Sequence, residues 1–320
     1  MNFRISVVMT TYNGEKYILK QLNSILNQTR RPDEVIICDD LSSDCTVDII
    51  RNFIHSNNLN NWHLYINTSN IGWKKNFFEA SKRATGDIVF FSDQDDIWLN
   101  YKIEEMSSIM ISHDAGCVFG NKIIIDSNDN VNRNRSEKRK FSNKVINLKF
   151  KKSFINFVSL GCCMCLKNEI IKKYNEMNFP DGGHDSQCLR ISLIFSKVVY
   201  FDKPVIYYRI HDSNSSEIKA DYSFGSSTLN KRVTSINNNI IWLDQLNNNY
   251  LFDSKKEKVI KKSIDYLNKR KDYFDKKCLF ISLIRFYSYY GGLTKLIGDF
   301  AYKHNLNGKL GRIRWKIRKK

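Results

Sequence analysis

Over its first hundred residues the chain alternates four times between a short apolar run and an amphipathic segment, and this rhythm restricts its folding more than any other feature. Residues 5–9 read as a buried strand entering Thr-Thr-Tyr-Asn-Gly. Residues 34–38 read as a second strand ending at Asp39-Asp40, residues 62–66 as a third, and residues 87–92 as a fourth running into Asp93-Gln94-Asp95-Asp96. Between them, residues 17–26, 46–55 and 76–83 place apolar side chains on one helical face. Strands that are apolar on both faces and separated by helices require a mainly parallel sheet covered on both sides, the α/β class. Open α/β sheets bind ligands outside the carboxyl ends of their strands. Residues 11–15, 39–40 and 93–96 are therefore expected to converge on one cleft.

The rhythm changes after residue 100. Residues 101–112 read as a helix, 118–126 as a strand and 128–144 as a polar loop. A tight apolar segment, 161–166, precedes a helix at 168–174. A turn at 180–185 precedes a helix at 186–195, and residues 198–210 read as two strands broken at Pro204. From Leu229 onward the pattern is helical and basic. The organisation expected is one domain over residues 1–220 and a helical basic region over 221–320.

Charge sharpens that division. The net charge of +18 is uneven: residues 221–320 hold 22 Lys/Arg against 8 Asp/Glu. The asymmetry suggests an anionic surface as partner for the C-terminal part. Nucleic acid is not the expected partner, because the charge sits outside the motif-bearing region and no RNP box or paired-cysteine finger is present. The N-terminal apolar run lacks the length and cleavage site of a signal peptide, and no stretch approaches the roughly 20 apolar residues of a spanning helix. A cytoplasmic location is expected. Eight scattered cysteines then imply no disulfides. Cys162-Cys163-x-Cys165 lacks the paired spacing of a zinc site and reads as small residues near a core.

Two constellations carry chemistry. Asp93, Asp95 and Asp96 follow an apolar strand directly. Three carboxylates in four residues repel one another unless a hard divalent cation joins them, and such an ion commonly bridges carboxylates to phosphate oxygens. The competing reading is an acidic, solvated turn; the buried strand before it and Ile97-Trp98 behind it favour a fixed position. Asp39-Asp40 ends another strand, beside Thr11, Tyr12, Asn13 and Glu15. A carboxylate there can accept from a pyrimidine N3–H or a ribose hydroxyl, and helix capping by Asp40, Ser42 and Ser43 is compatible with it.

VVMTTYNGEKYILKQLNSILNQT, VIICDDLSSDCT, NIGWKKNF and FFSDQDDIW, in this order and spacing, resemble the family 2 inverting glycosyltransferases of GT-A fold. The SDQDDIW form most resembles their rhamnosyltransferase-like branch, which makes bacterial surface polysaccharides. The resemblance covers about residues 3–215. It implies that residues 1–100 bind the nucleotide sugar and 101–220 the acceptor. It implies further that Thr11, Tyr12 and Glu15 hold the nucleoside, that Asp39 reads the base, and that Asn70, Gly72 and Asn76 lie near the ribose and diphosphate. Asp93 would contact the ribose and Asp95 would be the main ligand of Mn²⁺ or Mg²⁺, with Asp96 in support. Gly183-His184-Asp185 matches the family's base motif in an HD form, making Asp185 the general base; Ser186 and Gln187 stand where aromatic residues often follow. Tyr208-Arg209-Ile210-His211 and Asn214 resemble its YRxHxxN segment, so that His211 would join the metal shell or touch the diphosphate and Arg209 would neutralise phosphate charge. Gly161 and Cys162, with His184, would lie on the acceptor side.

The implied activity is transfer of a sugar from a nucleotide diphosphate donor, dTDP-rhamnose or a UDP-sugar, to a glycan or lipid-linked glycan acceptor. A sugar nucleotidyltransferase would need a Gly-rich, basic phosphate loop after the first strand, and TTYNGEKY is not one. Residues 309–320 hold seven Lys/Arg and no acid, interleaved with Leu310, Ile313, Trp315 and Ile317. This pattern suits anionic headgroups at the inner face of the cytoplasmic membrane, while the aromatic stretch before it (Phe280, Phe286, Tyr287, Tyr289, Tyr290) either packs in the protein or lies in that interface.

Overall fold

The computed structural model describes residues 3–132, 140–177, 183–211, 229–304 and 306. The expected boundary at residue 220, the turn residues 180–182, Asn214 and the tail at 309–320 lie outside the described residues. The chain divides into two compact units, Met1–Lys149 with Val158–Asp212, and Phe150–Phe157 with Ser213–Lys320.

The first unit is built on a nine-stranded mixed sheet. Its strands are β1 (Ile5–Thr11), β2 (Glu34–Asp39), β3 (Trp62–Ile66), β4 (Ile88–Ser92), β5 (Ile97–Trp98), β6 (Ala115–Ile125), β7 (Val145–Leu148), β8 (Met164–Lys167) and β9 (Lys197–Arg209). The order is β3-β2-β1-β4-β8-β6-β9-β5, with β7 paired to β9 off this path. The four N-terminal strands run parallel, as do β6 and β9, and antiparallel β8 joins the two sets. Every residue of β1, β2 and β4 is buried, as strands covered by helices on both faces must be. Edge strand β3 keeps only Trp62 buried.

The helices are α1 (Ile18–Leu26), α2 (Thr46–Ser56), α3 (Trp73–Ser81), α4 (Lys102–Ser112), α5 (Asn168–Glu176) and α6 (His184–Phe195). The chain winds from β1 outward to β2 and β3, then returns to place β4 on the other side of β1. That reversal opens a crevice between the carboxyl ends of β1 and β4, the place where open α/β sheets take ligands.

Two expectations are corrected and one strand is added. Pro204 does not break a strand: β9 runs through it, and the pairing with β6 is irregular on either side of the Asn121–Pro204 match. A residue without an N–H is tolerated where the ladder is already interrupted. Beyond the polar loop expected at 128–144, residues 145–148, given no element by the sequence, form β7, which reaches the sheet by pairing with the first part of β9. His184 and Asp185 do not precede a helix but form the first turn of α6, with Gly183 in extended conformation at its N-cap position.

The second unit is helical. α7 (Leu229–Asn249) and α8 (Ser254–Phe274) are joined by residues 250–253, and Asp253 caps α8 by accepting from the Lys255 and Lys256 amides. Three shorter helices follow: α9 (Ile281–Ile284), α10 (Tyr287–Tyr290) and α11 (Leu293–Lys303). Phe286, Tyr289 and Tyr290 are buried in this unit, Tyr290 with its ring 4.8 Å from that of Tyr266. Of the two placements open for the aromatic stretch, these three residues take packing inside the protein. At the centre lies Asp299, which accepts from Arg270 (2.5 and 2.9 Å), Arg232 (3.3 Å) and the Tyr290 hydroxyl (2.9 Å).

Candidate active site

Four strand ends supply the crevice. At the end of β1, Thr11 is buried and donates to Asp39 Oδ2 at 2.6 Å. Asp39 also accepts from the Ser42 amide (2.7 Å) and hydroxyl (2.6 Å). Asn13, at φ 47°, accepts from the Ser43 amide, and Glu15 accepts from the Cys45 amide at 2.9 Å. The segments after β1 and β2 are thus cross-linked into one rim, from which Tyr12 projects half-exposed.

Asp40 is not a helix cap. Its carboxylate accepts from Asn67 Nδ2 (2.8 Å) and from the amides of Ile71 (2.9 Å) and Gly72 (2.8 Å). Gly72 has φ 81°, which favours glycine, and its amide also faces Asn70 Oδ1 at 3.2 Å. Asn76 is buried and donates to the Cys38 carbonyl. Asn70, Gly72 and Asn76 therefore belong to a frame around the end of β2.

Asp93, Gln94, Asp95 and Asp96 follow β4. Gln94 clamps the end of β1 reciprocally, accepting from the Tyr12 amide at 2.8 Å and donating to the Tyr12 carbonyl at 3.0 Å. A Cβ on Gly14 would come within 2.3 Å of Gln94 Oε1, so the clamp requires glycine there. Asp95 Oδ2 lies 2.8 Å from His211 Nε2, and the His211 ring lies 4.9 Å from that of Tyr17. Asp96 is fully buried; one carboxylate oxygen accepts from the Arg209 amide at 3.1 Å, and the other has no partner. Oxygens of Asp93 and Asp96 cluster with Cys162 Sγ within 4.8 Å. Burial and the Asp95 charge push Asp93 up to about 7, and the same causes hold Asp96 well above the ordinary carboxylate range.

Arg209 was expected at a phosphate. The structure places it fully buried under Tyr17, donating to the carbonyls of Asp95 (2.7 Å) and Asp126 (3.1 Å) and pairing with Asp129. These protein oxygens make it a brace behind Asp95.

On the other side, Gly161–Cys163 form a short 3-10 turn leading into β8. His184 is buried, stacked on Phe77 with ring centroids 4.0 Å apart and edge-on to Phe91 at 4.5 Å. Among the described residues neither ring nitrogen has a hydrogen-bond partner, and a Cβ on Gly161 would meet Nε2 at 2.2 Å. Burial lowers His184 to about 4, against the pull of Asp185, so the imidazole is neutral. Asp185 is part-exposed and accepts from the Ser186 amide at 2.6 Å, in the helix turn where a negative charge is favoured. Its charge acts on Asp93, and His184 stacks on the strand that delivers Asp93. The first turn of α6 is thus packed against β4, the strand that leads into Asp93.

Sequence reasoning missed three supporting residues. Gln94 has no role assigned by the sequence. Gln21 is fully buried on the apolar face of α1; oriented as its partners require, its amide donates to the Asp96 carbonyl (2.6 Å) and accepts from Trp98 Nε1 (2.9 Å). A glutamine within the apolar stripe of a helix was the available signal. Lys102 is fully buried, donates to the Cys162 carbonyl at 2.6 Å and lies 3.3 Å from the Trp98 ring centroid; burial lowers it to about 8. All eight cysteines are free, and Cys162, Cys163 and Cys165 are buried as expected.

The residues fit a divalent cation. A buried carboxylate oxygen of Asp96 stands unpartnered, and Asp93, Asp95 and His211 offer the hard oxygen and imidazole donors that Mn²⁺ or Mg²⁺ accepts.

A parallel β3-β2-β1-β4 sheet with a carboxylate cluster at its switch point has the architecture of the GT-A fold. The chain belongs to glycosyl transferase family 2, whose model matches residues 6–174, and is a glycosyltransferase. It is 29% identical over 236 residues to the dTDP-rhamnosyl transferase RfbG of Shigella flexneri, covering 68% of this chain and 75% of that one. It is 31% identical over 193 residues to the UDP-Glc:alpha-D-GlcNAc-diphosphoundecaprenol beta-1,3-glucosyltransferase WfgD of Escherichia coli, covering 60% and 70%. Among solved structures, TarS 1–349 of Staphylococcus aureus in complex with UDP-GlcNAc superposes with a TM-score of 0.62 at 18% identity, over 92% of this chain and 81% of that one. A mannosyltransferase from Pyrobaculum calidifontis, in complex with GDP-Man and Mn²⁺, gives 0.52 at 16% identity, over 83% and 70%. These likenesses bear out the expected fold.

Proposed function

We propose that this glycosyltransferase moves a sugar, with inversion, from a nucleotide diphosphate donor to a glycan or lipid-linked glycan acceptor in bacterial surface polysaccharide synthesis. One observation carries the reading: the first turn of α6, which holds His184 and Asp185, packs against β4, with the His184 ring 4.5 Å from that of Phe91, on the strand that leads into Asp93–Asp96. The relatives' names, one a dTDP-rhamnosyl and one a UDP-glucose transferase with a diphosphoundecaprenol-linked acceptor, support the donor and acceptor classes.

In this reading the rim of Thr11, Tyr12, Glu15 and Asp39 receives the nucleoside, and the frame of Asn70, Gly72 and Asn76 shapes the ribose and diphosphate side. Asp95 and His211, with Asp93 nearby, would hold Mn²⁺ or Mg²⁺. A divalent ion so held supplies positive charge that neutralises the departing diphosphate. Arg209 fixes the Asp95 backbone. Asp185 takes the proton of the acceptor hydroxyl as that oxygen bonds to the anomeric carbon and the sugar–phosphate bond breaks on the opposite face. A base so placed contributes about 10²- to 10⁴-fold. Gly161, Cys162 and the neutral His184 line the acceptor side.

Work on a lipid-linked acceptor would place the protein peripherally at the inner face of the cytoplasmic membrane. Among the described residues no helix is long and apolar enough to cross one. A donor panel of dTDP-rhamnose, UDP-glucose and UDP-GlcNAc, with released nucleotide detected, tests the proposal. Metal-dependent release from one of them is expected; indifference to every donor and to chelators overturns it.

A further inference from the structure

The sequence drew attention to the tail at 309–320 as a membrane contact. The second unit carries a different candidate. Of the twenty large apolar side chains exposed among the described residues, seven lie between residues 279 and 300. Leu279, Ile281, Ile284, Leu293, Ile297 and Phe300 are 36–77% exposed. On α11, residues 293, 297 and 300 follow the i, i+4, i+7 spacing that aligns side chains along one face. Leu296 and Asp299 point into the unit instead and are buried. The helix thus has a second apolar face that the unit itself does not cover. Isolated exposed apolar residues are normal, but a contiguous group of this kind marks an interaction surface.

Charge identifies the occupant. Lys276, Lys277, Arg285 and Lys295 are exposed in the same stretch. The one acid between residues 276 and 304 is Asp299, which is buried and neutralised by Arg270 and Arg232. Asp275, exposed at the edge of the stretch, lies 3.8 Å from Lys277, so cations remain in the majority. Apolar side chains among such cations suit the boundary between anionic headgroups and acyl chains, where the apolar groups enter and the cations remain with the phosphates.

We infer that Leu279–Phe300 is a bilayer-contacting surface, in which Ile281, Leu293 and Ile297 insert beneath anionic phospholipid headgroups. The inference rests on the lipid-linked acceptor proposed above only for its purpose; the binding itself is independent of it. Each cation near an anionic surface contributes about fivefold to partitioning, and each aliphatic side chain that leaves water contributes about tenfold.

The full chain is sedimented with phosphatidylglycerol/phosphatidylcholine vesicles and with phosphatidylcholine alone. The wild type is expected to pellet with the anionic vesicles and not with the neutral ones. The variant Ile281→Ser/Leu293→Ser/Ile297→Ser is expected to lose at least about tenfold in partition while keeping its thermal midpoint, because the three side chains are already in solvent. A second variant, Arg312→Gln/Arg314→Gln/Lys316→Gln/Arg318→Gln, is expected to retain most of the binding. Wild-type partition in the serine variant, or loss confined to the tail variant, overturns the inference. So does a wild-type dimer by light scattering that the serine variant dissociates without change in vesicle binding, since the occupant is then a second copy. Donor-induced thermal stabilisation is read in parallel: its absence from a vesicle-binding wild type would count against the transferase reading alone.

Discussion

His211 Nε2 lies 2.8 Å from Asp95 Oδ2, bringing together residues 116 positions apart. The contact joins the end of β9 to the loop after β4, and Arg209 secures the same junction through the Asp95 carbonyl. In the proposed function this imidazole and carboxylate are two points of the cation site. Asp95→Ala and His211→Ala are each expected to weaken Mn²⁺-dependent binding of the donor nucleotide on the order of tenfold to a hundredfold, with Asp95→Ala the greater loss. Calorimetric titration with and without Mn²⁺ checks this. Unchanged affinity in both variants would remove the metal role.

Asp185→Asn keeps the shape of the first turn of α6 and removes the base. The turnover number is expected to fall about 10²- to 10⁴-fold while donor affinity stays near that of the wild type. Steady-state kinetics with a separate donor titration separates the two, and near-normal turnover would assign proton removal elsewhere.

His184 titrates in an apolar stack, with its pKa lowered from 6.5 to about 4. Between those values the unfolded chain binds a proton that the folded chain refuses, so stability is complete above about pH 6.5 and declines as the pH falls toward 4. The loss approaches about 3 kcal/mol. Urea unfolding at pH 7 and pH 5 is expected to show it, and His184→Phe is expected to reduce the difference. An equal pH response in the two proteins would mean that other groups carry it.

Asp299 holds two arginines inside the second unit, with 1% of its side chain exposed. Asp299→Ala leaves Arg270 buried without its counter-charge and is expected to destabilise that unit by about 3–5 kcal/mol. Hydrogen exchange resolved over α8 and α11 reports on that unit separately. Unchanged protection there would show that the cluster is not needed for stability.

Gly161→Ala drives a Cβ to 2.2 Å from His184 Nε2. Displacement of that ring is expected to cost about 1–3 kcal/mol and to lower turnover more than donor affinity. Thermal melts and kinetics of the same preparation test both parts.

The N-terminal strands, the three helices between them and the acidic strand end were legible because their signals are local. A strand buried on both faces needs an unbroken apolar run, and residues 7–9, 35–38 and 88–91 supply one. The candidate carboxylates were legible because they follow such runs directly. β7 was not legible, since Val145–Leu148 is mostly exposed and owes its conformation to pairing with β9. The continuity of β9 through Pro204 was hidden for a related reason: the irregularity that accommodates proline lies in the match to β6, not in β9 itself.

By itself the sequence determined the α/β alternation, the position of each candidate carboxylate along the chain and the basic character of the last hundred residues. All of these follow from which residues are neighbours in the chain. Only the tertiary structure decided that Arg209 faces protein carbonyls, that Gln94 grips the backbone of Tyr12, that His184 is neutral in an aromatic stack, and that Phe286, Tyr289 and Tyr290 are buried in the second unit while Leu279, Ile281, Leu293 and Ile297 stay exposed. Each depends on what a side chain meets across the sheet or between helices. Hydrogen-bond partners and desolvation are set by distance in space, which sequence spacing does not encode.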